Sequence, residues 1–501
     1  MSSDTQSLSG FKLILGGAAL ALANFMVVLD ITIANVSVPH ISGALAVAPT
    51  QGTWAITSYS VAEAICVPLS GWIASRFGEV RVFMLAVLGF GIFSLLCGLS
   101  TSLEALILFR VFQGFCGAPI MPMSQTLLLR IFPKDKAPAA LGLWSMTTVV
   151  APIAGPILGG TISDNWSWHW IFFINLPVVA ICVTLAWQLL RRYETGTTRN
   201  PVDYVGLLLL VIWVGALQIM LDKGREVDWF ANGLIVWLAV IAAVFFLAFL
   251  IWELTEANPI IDLSVFRQRG FTIGVIAQSS TYAAFFSSVV LIPLFLQTNL
   301  GYTATWSGYA TAFVGVMAVL MSPVAAAFGS RFDIRLMVSG GVIWLGMVSL
   351  MRTGWVTQMD FFTLSLPQFL QGIGMPFFFI GTTLLALGSV RPDQTASAAG
   401  IQNFMRTLSG AIATSIVQTI WETQTRLQRA ELVNVMHPGR VLDSYGAAQG
   451  RIILDRLVQS EAVTLATDKI ALWSAGIFAF AAAVIWLAPK PKAKVDMSAA
   501  H

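Results

Sequence analysis

The chain has 501 residues, of which 57% are hydrophobic and only 11% charged. Soluble globular proteins carry about 25% charged residues, so this composition excludes an ordinary soluble domain and indicates an integral membrane protein. The net charge of +3 is spread over many short loops and leaves no nucleic-acid footprint, and Cys66, Cys97, Cys116 and Cys182 all lie in apolar stretches with neither a disulfide framework nor metal-ligand spacing.

A membrane-spanning helix needs about 20 mostly apolar residues. Fourteen stretches qualify: 11–35, 53–72, 80–100, 103–127, 137–161, 168–190, 203–222, 230–253, 271–298, 304–328, 335–353, 361–389, 396–421 and 470–488. The first apolar run, Phe11 to Ile33, lacks a small-residue cleavage site and contains Asp30, so it reads as a retained helix and not a signal peptide. Four charged side chains stand deep inside these spans: Asp30, Glu63, Arg110 and Arg406. A charge in hydrocarbon costs from roughly 3 to more than 10 kcal/mol, so such residues face a bundle interior or wet cavity and mark ion or substrate paths.

In span 1, Asp30 belongs to Leu29-Asp30-Ile31-Thr32-Ile33-Ala34-Asn35-Val36, which ends at Pro39. Its protonation should respond to desolvation and to a nearby cation. Span 2 carries Glu63 near its middle. The segment that follows reads Gly71-Trp72-Ile73-Ala74-Ser75-Arg76-Phe77-Gly78-Glu79-Val80-Arg81. Span 4 holds Leu106, Arg110, Gln113 and Gly114. An arginine stays charged, so Arg110 imposes a fixed positive potential. At 1.5 Å per residue, Asp30 and Arg110 both reach the outer half of the membrane. Span 5 contains Ala151, Pro152, Gly155, Pro156, Gly159 and Gly160. Small residues allow close helix contact and proline bends the axis. Span 6 opens with Trp166 to Pro177, whose aromatics suit the outer interface. Spans 7 and 8 are joined by Leu221-Asp222-Lys223-Gly224-Arg225-Glu226-Val227-Asp228-Trp229.

Lysine and arginine set orientation. With the N-terminus inside, the inner segments carry seventeen of them and the short outer loops only Lys223, Arg225 and Arg352, so both termini are expected in the cytoplasm. Pro68 to Phe77 is echoed by Pro323 to Phe332, 255 residues later, and Phe112-Gln113-Gly114 by Leu370-Gln371-Gly372, 258 residues later. The offset implies two parallel six-helix halves, a common plan for secondary transporters. The expected organisation is an N-terminal half over 1–200, two extra helices over 201–262, and a C-terminal half over 263–501.

The motifs of spans 1, 2, 4 and 5, the Trp166–Pro177 stretch and the turn after Leu221 together resemble the major facilitator superfamily, and within it the fourteen-helix drug:H+ antiporter subfamily, over nearly the whole chain. The resemblance implies an all-α membrane fold and a proton-coupled exporter of lipophilic, toxic compounds, driven by the proton gradient with no cofactor or metal. It implies proton coupling through Asp30 and Arg110, to which the buried charges Glu63 and Arg406 are added on physical grounds. Glu63 would bind either a proton or a cationic substrate. It further implies an antiporter signature (Pro152, Gly155, Pro156, Gly159, Gly160), along which the two halves rock. A gating loop (Gly71, Arg76, Gly78, Arg81) would have Ser75 where an acid is usual, so the relay assigned to that acid does not carry over.

Substrate-cavity candidates are Asn24, Phe25, Tyr59, Gln125, Met146, Gln278, Tyr282, Phe285, Gln371, Phe378, Gln402 and Asn403; flexible Met and aromatic walls suit varied apolar guests. Chains of this kind sit in the bacterial inner membrane and work with a periplasmic adaptor (EmrA-like) and a TolC-like outer-membrane channel. The long outer segment 422–469, with its stripe of Leu454, Val458, Ala462 and Leu465, would either dock that adaptor or cover the cavity mouth. A metabolite exporter or symporter without an adaptor is the nearest alternative. A membrane-embedded enzyme or scramblase is the alternative from another class. It would need a reactive cluster, yet His40, His169, His437 and His501 form no ligand pattern and no GxxxxGK[ST] loop is present.

Overall fold

The computed structural model describes residues 10–133, 136–197, 202–391, 394–435 and 447–490. Of the seventeen inner lysines and arginines counted above, Lys134, Arg199, Lys492 and Lys494 lie outside the described residues, as do His437, His501 and 436–446 of the outer segment. Among the described residues the regular structure is helical throughout, without a strand. The longer helices are α1 (Gly10–Ala44), α2 (Trp54–Cys66), α3 (Ser70–Phe77), α4 (Glu79–Gly98), α5 (Leu103–Gly117), α6 (Ile120–Ile131), α7 (Ala137–Asn165) and α8 (Asn175–Leu189). They continue as α9 (Tyr204–Gly224), α10 (Gly233–Thr255), α11 (Arg269–Thr298), α12 (Ala304–Arg331), α13 (Ile334–Met351), α14 (Phe361–Leu387), α15 (Thr395–Val435) and α16 (Ala447–Val484).

Eleven helical stretches among the described residues are long and apolar enough to cross a membrane, and twelve if α7, bent by 44° between Ala137–Pro152 and Ala154–Asn165, counts as one span. The expected number was fourteen. The stretches at 53–72 and 396–421 make up the difference, for opposite reasons. The first is interrupted between α2 and α3, next to Pro68, which lacks an amide proton. The second lies in the 41-residue α15, which is continuous but rich in Gln, Ser and Thr and carries Arg406. At 1.5 Å per residue, α15 runs for about 60 Å, twice a hydrocarbon core of roughly 30 Å. The described parts of segment 422–469 are thus helical extensions of α15 and α16, tied by an Arg429–Asp455 ion pair at 2.5 Å. Of the stripe expected there, Val458 and Ala462 are buried.

One apolar core joins α1, α2 and α4–α8, with Leu20, Phe83, Phe90 and Trp144 inside it. A second, around Val338, Val342, Phe378 and Phe478, joins α11–α14 and α16. Between them, Leu210 and Trp213 of α9 pack with Phe404 of α15. The bend of α7 coincides with Pro152 and Pro156. Two close approaches join the groups at the end bearing Arg76: a Cβ on Gly71 would collide with the Ser397 backbone, and one on Gly400 would stand 3.2 Å from the Val67 carbonyl oxygen. Farther along, α2 and α15 are separated by a cavity and by α9.

Candidate transport site

Asp30 and Arg110, the acid of α1 and the arginine of α5, are brought together. Arg110 Nη1 donates to Asp30 Oδ2 at 2.5 Å, and the two side chains are almost fully buried. The other carboxylate oxygen accepts from Asn175 Nδ2 (2.8 Å) and Gln113 Nε2 (3.2 Å). The guanidinium also donates to the Ala55 carbonyl of α2 (2.9 Å) and to Gln113 Oε1 (2.9 Å), and lies 4.2 Å from the centre of the Tyr59 ring. Ser94 completes the cage by accepting from Asn175 (3.0 Å) and donating to the Phe172 carbonyl (2.9 Å). A buried ion pair survives desolvation only when further hydrogen bonds satisfy its remaining atoms, and this one has that support on three sides. Asn175 was the member not foreseen; it lies within Trp166–Pro177, where the aromatics drew attention instead.

Glu63 and Arg406 do not join that pair. They line a separate cavity of about 390 Å³. Its walls include Val28, Ile31, Thr32 and Asn35 of α1, a set with helical spacing that leaves Asp30 on the far side of the helix. On α2 as well, the cage members Ala55 and Tyr59 directly adjoin the wall residues Ile56 and Ser60, and Glu63 follows one turn after Tyr59. The opposite wall is α11 and α15, with Tyr282, Phe286, Phe404 and Gly410. Gln218, Leu221 and Asp222 of α9 also line it, so one of the extra helices contributes to the cavity, which the sequence reading did not anticipate.

The turn after α9 spans the cavity mouth. Lys223 donates to Thr53 before α2 (3.0 Å), while Trp229 donates to Thr419 (2.8 Å) and Arg225 approaches Glu422 (3.5 Å) on α15. Asp228 and Trp229 hold positive φ, 56° and 52°, to make that turn.

The twelve cavity candidates fall into two groups. Tyr282 lines the main cavity, Phe285 and Gln371 line a smaller one, and Met146 lines a third space beside Pro138 and Ser322. The other eight do not line these three spaces. Asn24 donates to Thr147 (2.7 Å) and Thr148 (3.0 Å), fastening α1 to α7. Gln125 accepts from Asn403 (2.7 Å), and Gln278 from Gln402. Tyr59 and Phe378 are fully buried, and Phe25 packs against the first core. A buried amide must find a partner, and here the amides find one another before they find a guest.

The residues of the span-5 signature face two ways: Pro152 and Pro156 line the smaller cavity with Phe285, Thr311 and Gln371. Gly155 and Gly159 face α1: a Cβ on Gly155 would clash with Thr32, and one on Gly159 would lie 3.0 Å from the Ile33 carbonyl oxygen. Gly160 has open space. Where α7 meets α12, Cβ atoms on Gly142 and Gly308 would meet Ile380 and Ser322 (3.5 Å) and Ile157 (2.9 Å) respectively. In the segment after α3, Gly78 has φ +93°, which favours glycine. The carboxylate of Glu194 lies against it, caps the amides of Val80 (3.1 Å) and Arg81 (3.0 Å) at the start of α4, and pairs with Arg81 at 3.7 Å. Glu79 pairs with Arg130 at 2.9 Å, and Arg76 stacks 5.5 Å from the Trp72 ring.

The echo of Phe112-Gln113-Gly114 by Leu370-Gln371-Gly372 acquires matching geometry. Gln113 accepts from Arg110 and Gln371 accepts from Arg352. A Cβ on Gly114 would stand 2.5 Å from the Tyr59 carbonyl oxygen, and one on Gly372 would clash with that of Val314.

With this helical architecture and a paired acid beside a central cavity, the chain has the build of a secondary transporter. It belongs to the Major Facilitator Superfamily, whose profile matches residues 20–414. It is 43% identical to the fatty acid resistance protein FarB of Neisseria gonorrhoeae, over 97% of this chain and 98% of that one. It is 44% identical to the multidrug export protein EmrB of Escherichia coli K12, over 97% of each. Among solved structures, a bacterial homologue of the human lysosomal transporter Spinster, inward-facing and unoccupied, superposes with a TM-score of 0.53 at 15% identity, covering 97% of this chain and all of that one, which shows the shared fold. The protein is a multi-pass membrane transporter and not an enzyme.

Proposed function

We propose that the chain is a proton-coupled multidrug efflux antiporter of the bacterial inner membrane. The observation that carries this reading is the buried Asp30–Arg110 pair, caged by Gln113 and Asn175 and one helix thickness from a mostly apolar cavity. The similarity to FarB and EmrB, a resistance and an export protein, agrees with it. Fourteen spanning helices, cytoplasmic termini and two six-helix halves complete the scheme. The matched Gln–Gly geometry of α5 and α14 supports the halves. The export route continues through an EmrA-like adaptor and a TolC-like channel. The helical extensions of α15 and α16, with exposed Val433, Ile452 and Leu457, are the docking surface.

In the outward-facing state a proton from the periplasm neutralises Asp30. The pair with Arg110 loosens, and the guanidinium, held to Ala55 and stacked on Tyr59, shifts α2 against the cavity. The guest leaves, the halves rock, and the proton escapes to the cytoplasm. One charge crossing 100 mV supplies about 2.3 kcal/mol, and each pH unit about 1.4 kcal/mol, enough for a concentration gradient without ATP. Asp30→Asn keeps the shape of the side chain and removes its titration. In proteoliposomes with an imposed pH gradient, it should lower dye export at least tenfold. Export at the wild-type rate would remove Asp30 from the coupling.

A further inference from the structure

A second buried polar cage stands in the C-terminal part of the chain, built on the frame of the Asp30 cage but without its acid. At the 258-residue offset of the Gln-Gly echo, Asp30, Arg110 and Gln113 fall on Ser288, Gln368 and Gln371. At the 255-residue offset of the other echo, Cys97 falls on Arg352. The side chains at these positions bond alike. Gln113 accepts from Arg110 and from the Cys97 thiol (3.6 Å), and Gln371 accepts from Arg352. Arg352 also donates to Gln368 Oε1 (3.0 Å) and to Ser288 Oγ (3.3 Å), the counterpart of Asp30. The cation has moved from the α5 position to that of α4, and a hydroxyl stands in place of the carboxylate.

Arg352 counts among the outer-loop cations by sequence, yet it is only 4% exposed, just past the end of α13. Arg110, Arg352 and Arg406 each keep an unmet N–H, so that feature does not separate them. Their counter-charges do. Arg110 is paired with Asp30, and Arg406 shares its cavity with Glu63. Among the described residues Arg352 makes no ion pair. Its Nε and the Nε2 of Gln368 are two buried donors without an acceptor in one cage. A buried charge is costly unless it is countered and hydrogen-bonded. Ser288, Gln368 and Gln371 also line the smaller cavity of about 180 Å³, together with Asn35 of α1 and Pro152 and Pro156 of α7. That is ample for a monatomic ion, which needs little more room than a water molecule. We propose that this cage binds a small inorganic anion of the chloride type, which supplies the counter-charge that the Asp30 carboxylate supplies in the first cage. Arg352 contributes the positive charge. The Gln368 amide and the Ser288 hydroxyl, whose oxygen is already taken by Arg352, donate to the ion. The inference goes beyond the efflux reading, because binding needs neither a guest nor a gradient.

The test is thermal unfolding of the full chain in lipid nanodiscs, at fixed pH and ionic strength, as sodium chloride replaces sodium gluconate, whose anion is too large for the cage. A ligand that binds only the folded chain raises the unfolding midpoint as its concentration passes the dissociation constant. The wild-type midpoint should rise by about 2 °C or more and then level off, and bromide should act as chloride does. Arg352→Gln should abolish the rise. Ser288→Asp supplies the carboxylate from within, so its midpoint in gluconate should match that of the wild type in chloride, and added chloride should not move it. A wild-type midpoint that is the same in both salts would overturn the proposal, and that result is decisive even if a variant does not fold. A chloride-dependent rise that persists undiminished in Arg352→Gln or in Ser288→Asp would place the ion elsewhere and overturn it too. Dye export does not enter the readout, so failure here leaves the efflux reading standing.

Discussion

Asp30 is held by three side chains from two other helices, and Arg110 by a carbonyl, an amide and an aromatic face besides the acid. This makes the pair asymmetric under mutation. Arg110→Ala strands an ionised carboxyl in the core and should cost about 3–5 kcal/mol. Adding Asp30→Asn to it removes the stranded charge, so the double variant should be more stable than Arg110→Ala alone. Thermal unfolding of the three purified variants reads this directly, and additive losses would show that the two side chains do not act as a unit. The pairing was legible in the sequence because helix rise alone put both residues at one depth. The fates of Gln125, Gln278, Gln402 and Asn403 were not. A polar residue on a spanning helix can face a pore or a neighbour, and only the placement of the partner helix decides. Asn403 reaches Gln125, 278 positions away, a distance no local pattern encodes.

Helix contacts depend on glycines whose tasks the motif does not reveal. The span-5 signature was expected to form the surface between the halves; Gly155 and Gly159 seat α1, while Pro152 and Pro156 of the same bent helix line a small cavity with Phe285, Thr311 and Gln371. Period and composition identify a small-residue face; they do not say which neighbour occupies it. Gly114 and Gly160 provide the contrast. A methyl group on Gly114 would press on the Tyr59 carbonyl oxygen, whereas one on Gly160 meets nothing within 4 Å. Gly114→Ala should therefore destabilise by about 1–3 kcal/mol through overpacking, and Gly160→Ala should stay within about 0.5 kcal/mol of the parent. Thermal unfolding of the two variants side by side checks the packing, and equal losses would contradict it. The extra helices were read as an insertion between halves. In the structure α9 walls the cavity with Gln218 and Asp222, and its turn bonds to both α2's leading residue Thr53 and α15. Nothing in the hydropathy of α9 could show this, because the face that meets the cavity differs from its lipid face by only a few side chains.

Among the described residues, charge at depth includes the closed Asp30–Arg110 pair beside α2, Arg352 held by Gln368 and Gln371, and Glu63, Asp222 and Arg406 on the cavity wall. The overall architecture was readable from apolar run lengths and from two sequence echoes. A count by length and hydropathy falls short of fourteen only at the interrupted α2–α3 and at the polar α15, the stretches that carry Glu63 and Arg406. The departures from simple hydropathy therefore fall on the helices that build the cavity. The central claim is that buried carboxyl titration links outward export to inward proton flow. It is tested most directly by reconstituting the wild-type chain in vesicles, imposing a pH gradient and recording dye export before and after a protonophore is added. Export that stops as the gradient collapses is the predicted result; export that continues unchanged would contradict the account.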